Sequence, residues 1–257
     1  MPYIKHLSVA LIALGLSAPV LANNNLTIPS QHGGFKVGVD TLYLSKNAIN
    51  NANDSSYDWG IYSKIGYIFP GTGNDLTVAY TYLRADDKES MNVDTVDLEG
   101  GQRLTTGAFD MRLFAGLRYT HLLYSFENAG SEGYVQSESN KFYGLGPRFG
   151  TDVRYQVGNG FGLDTHLNTA LLVGTINSKS QNQHSGISRS STSVVPQVGA
   201  KLGIDYTYAM QGDSKSALSF EVGYQTNHSF NAIDNTIING SNDVSFHGPY
   251  IDVKYYS

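Results

Sequence analysis

The chain has 257 residues, a formal net charge of −5, no cysteine, 18 tyrosines, 28 glycines and only 15% charged residues. The length fits one all-β domain; the lack of cysteine excludes disulfides and thiol chemistry, and the mild acidity argues against a nucleic-acid partner. Abundant Tyr and Gly with so little charge is unusual for a soluble enzyme and suits a barrel with aromatic belts and closely approaching strands.

The first residues read as a secretory signal. Lys5 gives a positive start, Leu7 to Leu16 a short apolar stretch, and Val20-Leu21-Ala22 small residues at a cleavage site. Cleavage is expected after Ala22, so residues 1–22 are a leader, 23–33 a short periplasmic segment and 34–257 the folded domain. No later apolar run approaches the roughly 18 residues a spanning helix needs.

The remainder resolves into about ten segments of alternating polarity, each long enough to cross a bilayer as a tilted strand. The first, Gly34 to Leu44, carries Phe35, Val37, Val39 and Tyr43 on one face. Tyr57 to Phe69, Leu76 to Leu83 and the weaker Thr95 to Leu104 follow. Then come Phe109 to Tyr124, Lys141 to Gln156, Phe161 to Gly174, Val194 to Met210, Ala217 to His228 and Gly248 to Tyr256. The apolar face of these segments holds no Asp, Glu, Lys or Arg. The other parity holds nearly all the strand charges, from Lys36, Asp40 and Lys64 through Asp164, Lys201, Asp205 and Glu221 to Asp252 and Lys254.

A soluble sandwich alternates in the same way. Three features favour a membrane barrel. Aromatics end the apolar faces, at Tyr43, Tyr57, Phe69, Tyr82, Phe109, Tyr155, Phe161, Tyr208 and Tyr255, where interfacial girdles lie. The segments exceed the roughly 5–6 residues of an ordinary strand. The connections also alternate in length. Pro70 to Asp75, Thr105 to Ala108, Val157 to Gly160 and Gln211 to Ser216 are short. Ser45 to Ser56, Arg84 to Asp94, Ser125 to Asn140, Thr175 to Ser193 and Ser229 to His247 are long and polar. The expected fold is therefore all-β: a transmembrane antiparallel up-and-down barrel of about ten strands, with short periplasmic turns and long extracellular loops. Its termini are expected in the periplasm. An open sheet would leave edge amides unpaired in hydrocarbon, so the sheet must close.

Several stretches resemble the Legionella-type major outer membrane protein family of pore-forming barrels. These are Asp97-Leu98-Glu99 with Gly101, Phe109-Asp110, Phe114-Ala115-Gly116-Leu117-Arg118-Tyr119, Phe142-Tyr143-Gly144-Leu145-Gly146-Pro147-Arg148, Leu171-Leu172-Val173-Gly174 and the closing Gly248-Pro249-Tyr250. The resemblance covers most of the chain beyond the leader and implies an outer-membrane, porin-like protein. The chain departs from the family's principal member in lacking cysteine, and it ends on Ser257 rather than an aromatic residue.

The inward charges nearly balance in sign. The densest belt is Asp97, Glu99, Arg103, Asp110, Arg112 and Arg118, joined by Arg148, Asp152 and Arg154. It reads either as a wall that tunes ion selectivity or as a salt-bridge network that fixes strand register. Barrels of about 8 strands are filled by side chains and those of about 16–18 hold a wide channel, so a narrow or partly plugged lumen is expected.

A protease-like barrel would need a His and carboxylates at the outer rim. His166, with Asp164 as its same-face neighbour, falls mid-strand instead, and no catalytic role is expected. No metal-ligand spacing or nucleotide fingerprint is present, so no cofactor is expected; Gly158-Asn159-Gly160 reads as a hairpin turn. The expected partners are outer-membrane lipids, ions or small solutes, and a surface ligand through the loops. A non-conducting structural or adhesin-like barrel is the alternative to a pore.

Overall fold

The structure, a computed structural model, describes residues 33–48, 57–86, 89–129, 135–182, 185–210, 216–235 and 240–257. The expected leader and all but the last residue of the 23–33 segment lie outside the described residues. Ten strands account for nearly everything described: β1 Gly34–Ala48, β2 Tyr57–Ile68, β3 Asn74–Asp86, β4 Glu89–Thr106, β5 Phe109–Ala129, β6 Val135–Gly158, β7 Phe161–Asn182, β8 Ser185–Ala209, β9 Ala217–Asn235 and β10 Gly240–Tyr256. Each pairs antiparallel with its sequence neighbours, and β1 pairs with β10 to close the barrel.

At the seam, the Ser257 N–H donates to the Phe35 carbonyl at 2.9 Å, and the Phe35 N–H donates to the Ser257 hydroxyl at 2.9 Å. The last residue thus fastens the closing ladder. A ladder that leaves β1 at Lys36 and passes through all the strands returns to β1 at Ala48, a stagger of 12 residues. With ten strands, that stagger sets a tilt of about 40° and a backbone radius of roughly 10 Å.

The tight connections lie at one end. Asn159 and Gly160, at φ 53° and 86°, form the two-residue turn between β6 and β7. Both central residues of a type I′ hairpin need positive φ, which Asn-Gly supplies at little cost. Gly107, at φ 56°, opens the equally short turn to β5. The fourth expected short turn falls mostly on residues 211–215, outside the described residues.

At the other end the strands run further than polarity alone suggests. Arg84 to Asp94 and Thr175 to Ser193 read as loops, yet β3 extends to Asp86, β4 starts at Glu89, β7 extends to Asn182 and β8 starts at Ser185. The alternation of apolar residues stops where lipid stops. The backbone ladder needs only its own hydrogen bonds and continues beyond that point.

The two faces differ as the parity requires. Val222 is 57% exposed and its neighbour Glu221 is 2%. Rings mark both ends of the apolar band. Phe109 packs on Tyr155 at 5.0 Å, Phe161 on Tyr206 at 5.0 Å and Phe35 on Tyr67 at 5.1 Å near the turns. Tyr43 stacks on Tyr57 at 5.1 Å and meets Trp59 at 4.8 Å near the loops. From Phe109 to Tyr119 is ten residues along β5; at about 3.3 Å each and about 40° of tilt, that spans roughly 25 Å, the height of a lipid-facing band.

The interior changes character along its length. Toward the turns it is charged. Toward the loops it becomes an apolar cluster that includes Leu44, Leu83, Met91, Leu122, Phe142, Leu172, Ile176, Val195, Ile233 and Phe246. On β7 the outward face passes from Leu171 and Val173 to exposed Thr175 and Lys179, while the inward face passes from Asp164 and His166 to Leu172 and Ile176. Once the exterior meets water rather than lipid, apolar surface is buried only by turning inward.

Candidate functional site

The lumen is the candidate site. Its turn-side half is built from side chains of every strand, and each cation described there meets a carboxylate. Arg112 on β5 carries the densest set. Its Nε and Nη2 donate to the two Asp75 oxygens at 2.8 Å each. Its Nη1 donates to Glu99 at 3.0 Å and to Asp152 at 3.1 Å. Lys36 reaches the same Asp75 at 2.8 Å. Parallel N–H donors matched to both carboxylate oxygens are the strongest ion-pair geometry.

The rest of the β4–β6 belt sorts into pairs. Arg118 grips Asp97 with Nε and Nη2 at 2.7 and 2.8 Å and donates across the lumen to Gln197 on β8 at 3.3 Å. Arg148 lies between Asp97, at 3.5 Å, and Glu99. The guanidinium groups of Arg112 and Arg148 both approach the Phe114 ring, at 4.9 and 4.8 Å from its centroid. Arg103 and Asp110 form a looser pair at 3.6 Å at the turn end. Arg154 turns away from the others and clamps Asp205 on β8 at 2.9 and 2.7 Å. The structure therefore brings Asp97, Glu99, Arg112, Arg118, Arg148 and Asp152 into contact, and it leaves Arg103–Asp110 and Arg154 as separate pairs.

Asp75 is the chief residue missed from sequence, where it reads as the end of a short turn. Its inward parity with Thr77 was the available signal: the Thr77 hydroxyl donates to it at 2.9 Å. A second group gathers on the opposite wall. Glu221 accepts hydrogen bonds from Tyr250 and Lys254 and faces Nε2 of His166 at 3.3 Å. His166 Nδ1 lies 3.0 Å from Asp152. The neighbour expected from parity, Asp164, is not its partner. On the pleated sheet, Asp152 stands directly opposite His166 on β6, whereas Asp164 lies two residues along the same strand.

Inward glycines give these long side chains room. A Cβ at Gly101 would lie 2.5 Å from Arg112 Nε, so the path of Arg112 toward β3 needs a glycine there. Among the charged groups lies a cavity of about 360 Å³, lined at one end by Lys36, Arg103 and Lys254 and at the other by Leu83, Ser229 and Phe246. Among the described residues, no group of three or more His, Cys, Asp or Glu side chains is placed to hold a metal ion.

A closed barrel with an apolar belt outside, aromatic rings at both edges and charges inside is an outer-membrane β-barrel. The chain belongs to the family described as Legionella pneumophila major outer membrane protein precursor, which matches residues 27–257. None of the curated proteins compared with it matches. Among solved structures it is similar to the outer membrane protease OmpT from Escherichia coli, at 10% identity and a TM-score of 0.55, covering 90% of this chain and 100% of that one. A major outer membrane protein from Thermus thermophilus aligns at 12% identity and a TM-score of 0.43, covering 88% and 99%. At such identities the likeness to OmpT shows the fold alone.

Proposed function

We propose that the chain is a narrow pore of porin type, through which ions or small solutes pass passively. The observation that carries this reading is the cavity of about 360 Å³ inside the membrane band, walled by side chains of both signs. Charged walls in a low-dielectric tube replace part of an ion's hydration shell and bias which sign passes. The side chains that reach inward from ten strands leave room for water and small ions rather than for bulky solutes. On this reading the turns and termini face the periplasm, the loops face outward, and lipid covers the apolar exterior.

The reading assigns no chemical turnover. His166 lies within a carboxylate network in the lumen, between Asp152 and Glu221, and not at the loop-side rim. The buried apolar cluster at the loop end, where Leu172 and Val195 are fully covered, favours the alternative of a non-conducting barrel. Single-channel recording of the refolded protein in planar bilayers decides between them. Small discrete steps are expected; their absence in well-folded protein would establish the non-conducting reading.

A further inference from the structure

We infer that Lys201 is a cross-lumen bar whose ammonium occupies a cation site built by Asp40, Tyr62 and Tyr250. Lys201 stands on β8, whereas its partners stand on β1, β2 and β10, beyond the intervening β9. Its Nζ donates to Asp40 Oδ2 at 2.6 Å. The same nitrogen lies 4.8 Å from the centroid of the Tyr62 ring and 4.9 Å from that of Tyr250. A carboxylate flanked by two aromatic faces is the chemistry that recognises an organic ammonium ion.

The surroundings hold the site in shape. Asp40 is 1% exposed and Tyr250 is 2%. The Tyr250 hydroxyl is tied to Glu221, so its ring is fixed from behind. Lys64 lies 5.5 Å from the centroid of the same Tyr62 ring and is drawn to Asp252 at 3.6 Å, so it flanks the site without filling it. Lys201 itself lines the cavity. Two side chains thus bridge the tube around this level: Arg118 runs from β5 to Gln197 on β8, and Lys201 runs from β8 to Asp40 on β1. Lys201 is therefore one of the side chains that narrow the lumen, and the site it fills takes a small alkylammonium ion when that side chain is removed. Only the claim about current rests on the pore reading; the claim about binding does not.

The test uses the full chain refolded in detergent and n-butylammonium chloride as the probe, because an ammonium on a short flexible alkyl chain has the chemistry of the lysine side chain. In Lys201→Ala, n-butylammonium is expected to raise Tm in a saturable way, as a ligand of the folded state does. Wild type and the double variant Lys201→Ala/Asp40→Asn should show no such rise. No rise in folded Lys201→Ala, or an equal rise with sodium chloride, overturns the site. In planar bilayers, Lys201→Ala should conduct at least roughly two-fold more than wild type and be blocked by n-butylammonium. Equal, unblocked currents in the two proteins overturn the bar. A saturable Tm rise without current in either protein supports the cation site while sinking the pore reading. Lys201→Met keeps the stem and guards against a folding failure of the alanine variant: its cation-over-anion preference should rise roughly two-fold, and an unchanged reversal potential would overturn the proposal.

Discussion

Arg112 shows how much one side chain carries inside this barrel. Its four close contacts satisfy Asp75, Glu99 and Asp152 together, and Asp75 and Glu99 are both buried. Removing a buried partner leaves uncompensated charge, which costs about 3–5 kcal/mol. Arg112→Met is expected to destabilise the barrel by that amount in urea unfolding from lipid vesicles. Arg103→Met, which loosens a 3.6 Å pair with a quarter of each side chain still accessible, should cost about 1 kcal/mol or less. Equal costs would mean that the belt is a diffuse field rather than a set of specific pairs. The inward parity of Arg112, Asp97 and Glu99 was legible in the sequence. Their partners were not, because pairing depends on register across several strands, and residues two strands apart, such as Asp75 and Arg112, meet only once the sheet curls.

Each strand is written in two alternations laid end to end. The lipid-facing one is clear in the sequence because membrane contact demands an unbroken apolar row. In the run Leu171-Leu172-Val173 the parity of the segment puts Leu171 and Val173 on the lipid face and so turns Leu172 inward. The structure agrees, with Leu171 and Val173 exposed and Leu172 buried; that Leu172 joins an apolar core rather than the charged lumen was not legible, because the outward row alone carried the signal. The strand ends beyond the bilayer were lost for the same reason: their outward faces are polar, and polar runs read as loops. The two faces make opposite demands on charge. Val222→Arg places a cation on the lipid face and should cost about 2–4 kcal/mol if it lies near mid-membrane. Thr81→Arg points into the cavity and should insert with a clearly smaller loss. Gly223 is a poor control, because even a Cβ there would lie 2.2 Å from the Leu202 carbonyl. Refolding yield into vesicles, read by urea titration, compares the two variants. Equal losses would contradict the facing of β3 or β9.

At the scale of the whole molecule, the barrel is two solvents' worth of protein in one continuous sheet. Below the loop-side girdle it is apolar outside and charged inside. Above the girdle the apolar side chains gather within, as in a soluble β-barrel. The change of character falls around the loop-side girdle and overlaps the apolar exterior there: Leu172 and Val195 turn inward beside the outward Leu171, Val173 and Val194. The single tryptophan reports the edge of the bilayer. Trp59 is 66% exposed on the outer face and packs on Tyr43, level with the onset of the inward apolar residues Leu42 and Leu44 on the paired strand. Tryptophan favours the headgroup boundary. In vesicles of brominated lipids, its fluorescence should be quenched most by bromines placed near the headgroups and least by those near the chain ends. Strongest quenching from the chain ends would put Trp59 at mid-membrane. The apolar cluster would then lie within the bilayer, and it would have to act as a plug in the transmembrane lumen rather than as the core of the part that rises above it.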